Sequence, residues 1–146
     1  MTEPSTKTIE FTFERVIPVG PEELYDAWLD PTTPGTPWHE SDKLILNAVV
    51  DGLFFWHHPA GIGHYGRFTK AERGSQLQHT WVSPNTLGLE SVVTVTFKKK
   101  GDETVMTLVH SELPDAEVAR SHENGWNYFL DRFASQNGAA TISRSA

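Results

Sequence analysis

The chain has 146 residues, a length typical of one domain. Its 12 basic residues against 19 acidic residues give a formal net charge of −7, which excludes a free-standing nucleic-acid binder because phosphate contacts need a basic surface. The chain has no cysteine, which excludes disulfides, thiolate nucleophiles and cysteine-ligated zinc. We therefore expect one domain over 1–146, with a core over about 6–137 and a short polar tail at each end.

Apolar residues do not form a long enough run to span a membrane. The longest uninterrupted run is four residues, Leu53 to Trp56, against the roughly 20 that a membrane helix needs. The first seven residues are polar and lack the apolar stretch of a signal peptide. These features predict a cytoplasmic protein with no membrane span.

The chain begins with one predicted strand and a short helical pair. Apolar and polar residues alternate over 8–17, which is the period of a half-buried strand. A short helix is expected to begin at Pro21, where the missing N–H costs nothing, and to end before Pro31. The stretch 31–37 holds three prolines and predicts turns or one loose helical turn.

The middle of the chain predicts a meander of antiparallel strands. Turn signals such as Asp51-Gly52 and Gly101-Asp102 separate segments that each have one apolar face. The six predicted strands cover 43–50, 53–58, 63–72, 76–83, 88–99 and 103–112.

A long amphipathic helix is predicted over 115–137, with Asp115 as its N-cap and Gly138 just beyond its end. Gly125 lies in its interior, where glycine costs about 1 kcal/mol relative to alanine. We expect this glycine either to let the helix approach the sheet closely or to leave space beside it. The apolar stripe of the helix consists of Val118, His122, Trp126, Phe129, Leu130 and Phe133.

Together these elements predict an α+β fold. A curved antiparallel sheet of about six to seven strands would wrap around the long C-terminal helix, with the short helical pair after strand 1. A sheet that closes on one helix leaves a wedge of space between them, and we expect a cavity there.

Five of the seven histidines fall on predicted apolar faces. For each one alone, a neutral ring bonded to a neighbour is the simpler interpretation. Five such rings need five sets of partners, and a pocket that holds water or a ligand supplies them simply. An imidazole also suits general acid–base chemistry near neutral pH. These residues are His58, His64, His79, His110 and His122.

Large apolar side chains on the same faces are predicted to form the walls of the cavity, although each one alone also fits an ordinary core. Trp38 follows the proline-rich loop, where a gate would lie. The predicted wall residues are Trp38, Phe54, Trp56, Phe68, Trp81, Val93, Val95 and Trp126.

Other chemistry has weaker support. The adjacent His57 and His58, with His64, do not have the tight spacing of a metal site, and we predict neither a metal nor another cofactor. Ser111 follows His110, but neighbours on a strand face opposite ways, so no catalytic residue is predicted. Arg15 interrupts an apolar face, where a salt bridge is the favoured role and an anion contact the alternative.

Several segments also carry a family resemblance. The stretch from Arg15 to Pro31, the hairpin residues Asp51-Gly52-Leu53-Phe54, the run from Thr104 to Ser111 and the pair Gly125-Trp126 resemble the activator-of-heat-shock-ATPase homologue family. That family belongs to the START and birch-pollen-allergen (SRPBCC) superfamily. The resemblance covers nearly the whole chain and implies a helix-grip fold over a hydrophobic cavity. Family members include ligand carriers, self-resistance proteins, cyclase-like enzymes and a co-chaperone domain, with no shared catalytic set.

We therefore predict that the protein binds a small hydrophobic or aromatic molecule between sheet and helix, as a carrier, sensor or sequestering protein. One alternative is a cyclase- or hydrolase-like enzyme that uses the pocket histidines as acid and base. Another is an interaction domain for a chaperone ATPase. We expect a monomer or a weak homodimer.

Overall fold

Seven antiparallel strands form one sheet in the order β1-β7-β6-β5-β4-β3-β2. The computed structural model describes residues 7–138. The sheet curves around the C-terminal helix, as the α+β prediction requires. The strands are β1 (Thr8–Ile17), β2 (Lys43–Leu46), β3 (Leu53–His57), β4 (Gly63–Glu72), β5 (Gln76–Trp81), β6 (Ser91–Lys100) and β7 (Glu103–Pro114). The helices are α1 (Pro21–Trp28), α2 (Glu117–Arg120) and α3 (His122–Gln136), with short 3₁₀ helices at Pro37–Glu40 and Pro84–Thr86.

The period of two fixes which side chains face the helix. In β5, Leu77, His79 and Trp81 are buried while the residues between them are half-exposed. Register pairs His79 with Val93 of β6, and Val93 in turn with His110 of β7, so two histidines lie in one buried row. Apolar and imidazole side chains therefore share the concave face, as the alternation predicts.

Two strands are shorter than predicted. The predicted strand 43–50 stops at Leu46, because the chain then turns, with the Val49 N–H bonded to the Asn47 carbonyl at 2.9 Å. The predicted strand 88–99 begins at Ser91 instead, because Leu87 and Gly88 have φ values of 59° and 75°. A positive φ lies outside the extended region, and Glu112 of β7, which also has a φ of 59°, lies where the register between β7 and β1 is interrupted.

The long predicted helix is divided in two. The hydroxyl of Ser121 donates to the Val118 carbonyl at 2.6 Å, and Nδ1 of His122 bonds to the Ala119 carbonyl at 2.8 Å. Side chains that take helix carbonyls compete with the backbone and bend the helix, which explains the break at Ser121. The break leaves Val118 39% exposed, so this residue does not belong to the buried stripe.

The ends of the helical region differ in how well they match the prediction. The N-cap of α2 is Ala116 rather than Asp115, whose carboxylate instead accepts a hydrogen bond from Arg120 at 2.6 Å. Gly138 has a φ of 87° directly after Asn137, the C-cap of α3, as a terminating glycine requires.

Helices α1 and Pro37–Glu40 form the predicted helical pair and close one side of the core. The indole N–H of Trp38 donates to the Trp28 carbonyl at 3.0 Å and so joins the two elements. The Trp28 ring packs edge-on against Phe133 of α3 at 5.1 Å between centroids. Among the helices of residues 7–138, none is long and apolar enough to cross a membrane.

Candidate functional site

A pocket of about 110 Å³ lies between the N-terminal part of α3 and strands β3 to β5. Its lining consists of Trp56, His64, Trp81, Asn85, Ser121, His122, Gly125, Trp126 and Phe129. A larger, shallow groove of about 350 Å³ runs along the other end of α3, near Asp131 and Gln136. Only the first of these two has buried aromatic walls, so it is the candidate binding site.

Gly125 keeps this pocket open on the helix side. A Cβ atom built at this position meets no other atom within 4 Å, so the glycine does not serve a close approach of helix to sheet. Of the two expected reasons for a glycine here, the structure shows open space beside the helix.

One buried chain of hydrogen bonds ties α3 to the sheet beneath the pocket. Nε1 of Trp126 donates to Nδ1 of His110 at 2.9 Å, which places the His110 proton on Nε2. That nitrogen lies 2.8 Å from Oγ of Ser91, whose hydroxyl donates to the Trp81 carbonyl at 2.7 Å. Both nitrogens of His110 are therefore occupied by the protein.

A second tryptophan–histidine hydrogen bond crosses the same interface, but here the donor lies on the sheet and the acceptor on the helix. Nε1 of Trp81 donates to Nε2 of His122 at 3.2 Å. The other nitrogen of His122 then carries its proton and donates to the Ala119 carbonyl. His122 is thus neutral and fully bonded, although its ring lines the pocket.

Two other side chains of the pocket wall have buried nitrogens without a partner in residues 7–138. These atoms are Nε1 of Trp56 and Nδ1 of His64. The two residues are register partners on β3 and β4, and their rings stack with centroids 4.3 Å apart and planes 6° apart. The third such atom, Nε1 of Trp28, belongs to a residue outside the pocket lining. An unpaired buried polar group costs about 1–3 kcal/mol, so these two nitrogens favour a bound polar atom.

Burial keeps the site's histidines uncharged. Desolvation, with smaller effects of the nearby His122 and His58 rings in the same direction, lowers the pKa of His64 to about 4. Desolvation likewise lowers the pKa of His122, against a smaller opposing effect of its bond to Ala119. The pocket wall is therefore neutral at physiological pH.

Five of the thirteen predicted ligand-contacting residues line this pocket: Trp56, His64, Trp81, His122 and Trp126. Seven others are buried in the core outside it, and these are Trp38, Phe54, Phe68, His79, Val93, Val95 and His110. They do not reach the pocket because their rings and methyl groups fill the concave face. His58 lies beyond the end of β3, where its ring is part-exposed and Nδ1 accepts from the Ala60 N–H at 2.9 Å.

Four lining residues are absent from the predicted set: Asn85, Ser121, Gly125 and Phe129. Phe129 belongs to the apolar stripe of the helix, and a glycine inside a helix indicates space beside it. The sequence therefore contains a reason to place Phe129 and Gly125 at the pocket. Asn85 and Ser121 lie in a turn and at a helix break, and no periodicity marks them.

The remaining polar candidates form surface pairs. Arg15 bridges β1 to α3 through Asp131 at 2.9 Å, which confirms the salt bridge. His57 pairs with Asp42 at 2.8 Å, on the face of β3 opposite Trp56. Across the part of the chain that the structure describes, no group of three or more His, Asp or Glu side chains is placed to hold a metal ion.

The sheet, the gripped helix and the pocket between them define a helix-grip protein. The sequence profile of the family described as "Activator of Hsp90 ATPase homolog 1-like protein" matches residues 18–136. The chain therefore belongs to this family, within the SRPBCC superfamily.

Solved structures agree with this fold. A protein of Chromobacterium violaceum is 21% identical with a TM-score of 0.72, over 90% of this chain and 98% of that one. An HSP90 activator from Plasmodium falciparum is 25% identical with a TM-score of 0.67, over 83% and 90%. The Aha1 dimer from Colwellia psychrerythraea is 14% identical with a TM-score of 0.72, over 94% and 99%. No curated protein sequence matches the chain.

Proposed function

We propose that this protein binds a small hydrophobic or aromatic molecule in the pocket between α3 and strands β3 to β5, as a carrier, sensor or sequestering protein. The observation that carries this proposal is the conjunction of aromatic walls with two buried nitrogens, on Trp56 and His64, that no described residue satisfies. A pocket that needs polar partners and has apolar walls suits a ligand with a ring and a polar atom.

The size of the pocket limits the guest. Its 110 Å³ is below the roughly 300–1,000 Å³ typical of drug-sized ligands. An engineered apolar cavity of about 150 Å³ in another protein holds benzene. Because this pocket is smaller than that cavity and has open space at Gly125, we expect one six-membered ring that is partly enclosed, alone or as part of a longer molecule whose remainder lies outside.

Binding is better supported than acid–base catalysis. His110 and His122 use both ring nitrogens for bonds within the protein, so neither offers a free nitrogen to a substrate. General acid–base catalysis needs a nitrogen within hydrogen-bond reach of the substrate proton. His64 alone among the lining histidines has a nitrogen without a partner in the described chain.

A titration with toluene tests the proposal. The side-chain N–H signals of the five tryptophans in ¹H–¹⁵N NMR spectra report the binding. The signals of Trp56, Trp81 and Trp126 are expected to shift, because these rings line the pocket. The signal of Trp38, whose N–H is bonded to Trp28 outside the pocket, is expected to stay in place.

Gly125→Leu provides the blocking variant, because Gly125 lines the pocket and a leucine there would occupy open space at the pocket wall. Asn124→Leu is the matched control, since this exposed neighbour on α3 does not line the pocket. We expect Gly125→Leu to weaken toluene binding at least tenfold and Asn124→Leu to leave it within twofold. Absence of any shift in the wild-type protein, or equal binding by both variants, would contradict the proposal.

A second candidate, interaction with a chaperone ATPase, is favoured by a separate observation. On the outer face of the sheet, Ile45 is 60% and Tyr65 55% exposed, and both are register partners of the half-buried Phe55. Such an exposed apolar row favours a protein contact. The HSP90 activator from Plasmodium falciparum shares the fold and makes an Hsp90 ATPase the natural partner to test.

For this candidate, the wild-type protein is expected to raise the ATPase rate of purified Hsp90. The double variant that combines Ile45→Thr with Tyr65→Thr is expected to abolish this increase. Threonine is well tolerated in strands and exposes less apolar surface than isoleucine or tyrosine. If the wild-type protein does not change the ATPase rate of Hsp90, this candidate function is refuted and the ligand-binding proposal is unaffected.

A further inference from the structure

The pocket wall contains no ionisable acid or base other than imidazole. None of its nine lining residues is Asp, Glu, Lys or Arg. His64 is only 7% exposed and His122 only 8%, so both rings are removed from the water that would stabilise their charged forms. A charged ligand would lose its hydration here without gaining a counter-ion, which is costly. The site therefore favours a neutral guest.

The hydrogen bonds already made within the wall decide which polar group the guest carries. The N–H groups of Trp81 and Trp126 and both nitrogens of His122 are used internally. Two buried nitrogens of the wall remain without a partner in the described chain: Nε1 of Trp56 is a fixed donor, and Nδ1 of His64 donates or accepts according to its tautomer. The two atoms belong to residues that are paired across β3 and β4 and whose rings stack with centroids 4.3 Å apart, so they lie on the same part of the pocket wall.

A hydroxyl matches both atoms in either tautomer of His64, because its oxygen accepts from the indole while its proton donates to an unprotonated Nδ1, or its oxygen accepts a second bond from a protonated Nδ1. We infer that the pocket is selective for a neutral single-ring phenol, whose hydroxyl binds Trp56 and His64 while its ring lies between Trp81 and Phe129. This inference rests on the proposed function and specifies the chemical class of its ligand.

Three probes of similar size test the inference: phenol, toluene as the analogue without a hydrogen-bonding group, and benzoate as the charged analogue. The readout is the dissociation constant of each from the indole N–H signals of the intact protein. Phenol is expected to shift the Trp56 side-chain N–H proton downfield, and toluene to bind without that downfield shift. Benzoate is expected to bind at least tenfold more weakly than phenol.

Trp56→Phe keeps the aromatic wall and removes the donor. It is expected to weaken phenol binding about three- to tenfold more than toluene binding, which is the loss typical of one neutral hydrogen bond. His64→Phe is the second variant, with the same expectation for phenol. The downfield shift is measured on the wild-type protein, so the test does not depend on whether either variant folds.

The outcomes separate this inference from the proposed function. Binding of toluene and phenol with equal affinity, unaffected by Trp56→Phe, would overturn the phenol inference and leave the apolar binding site standing. Benzoate binding tighter than phenol would overturn the requirement for a neutral ligand. If none of the three binds, the proposed function fails as well.

Discussion

At the scale of single residues, two glycines have opposite surroundings, and only Gly125 belongs to the pocket. Gly125 faces open space, whereas a Cβ atom at Gly66 of β4 would overlap the Thr80 carbonyl oxygen and lie 2.6 Å from the Phe54 ring. The first glycine costs helix stability and leaves the pocket mouth open. The second is required because two backbones and a ring meet there.

Gly125→Ala is therefore expected to stabilise the protein by about 0.5–1 kcal/mol, because alanine is the better helix former and its methyl group meets no atom. Gly66→Ala is expected to destabilise it by more than about 2 kcal/mol, since backbone must move to accept the methyl group. Urea unfolding of both variants measures the two effects. A loss of stability in Gly125→Ala would show that the space beside α3 is not open.

At the scale of elements, helix α3 is held to the sheet by tryptophan–histidine bonds as well as by apolar packing. The Trp126–His110 bond joins α3 to β7, and the Trp81–His122 bond joins β5 to α3. Each tryptophan satisfies a buried imidazole, and each imidazole satisfies a buried indole. This arrangement supplies the partners of two histidines without any ligand.

Trp126→Phe is expected to destabilise the protein by about 1–3 kcal/mol, because it leaves Nδ1 of His110 buried without a donor. Once His110 is replaced by leucine, the same Trp126→Phe change should cost less, since no imidazole is left unpaired. A double-mutant cycle of these two substitutions in urea unfolding is expected to give a coupling energy of about 1 kcal/mol. Additive effects of the two substitutions would refute a stabilising role for this bond.

The sequence predicts the elements better than their junctions. Alternation correctly assigns His79, His110 and Trp81 to the buried face, because side-chain direction in a strand depends only on local period. Periodicity does not reveal that the hydroxyl of Ser121 takes a helix carbonyl, so the helix break is not predicted. Nor does it reveal that Trp126 and His110, which lie on different elements, meet as donor and acceptor. This hydrogen bond depends on how α3 packs on the sheet. Bonds of this kind determine which histidine nitrogens have no partner within the protein.

At the scale of the whole molecule, buried neutral histidines make the fold sensitive to acid. The ring of His79 is 1% exposed and lies among Phe54, Phe68 and Trp38, with centroids 4.9, 5.2 and 6.2 Å away. Desolvation lowers its pKa to about 4, against a smaller opposing effect of its bond to the Thr80 carbonyl. His64 has the same direction of shift and a similar value.

Because the unfolded chain binds protons to these rings at higher pH than the folded chain, stability is complete above about pH 6.5 and falls as the pH drops toward 4. A difference from 6.5 to about 4 corresponds to roughly 3 kcal/mol for His79. We expect His79→Phe to remove about that much of the loss between pH 6.5 and pH 4. Urea unfolding at several pH values measures this slope.

Phe68→Leu is the control for this prediction, because it perturbs the same cluster without removing a titrating group. It is expected to lower stability at every pH and to leave the slope unchanged. A His79→Phe variant whose stability falls with acid as steeply as that of the wild-type protein would contradict the assignment of the acid sensitivity to this ring.

The central claim is that an aromatic ring enters the space between α3 and strands β3 to β5, and the most direct measurement is the position of a heavy-atom ring in crystals. Crystals soaked with bromobenzene are expected to give one bromine anomalous peak within the pocket, between Trp56 and Phe129. The same soak of Gly125→Leu crystals should give no peak there. Bromine bound elsewhere, with the wild-type pocket empty at saturating bromobenzene, would contradict the account.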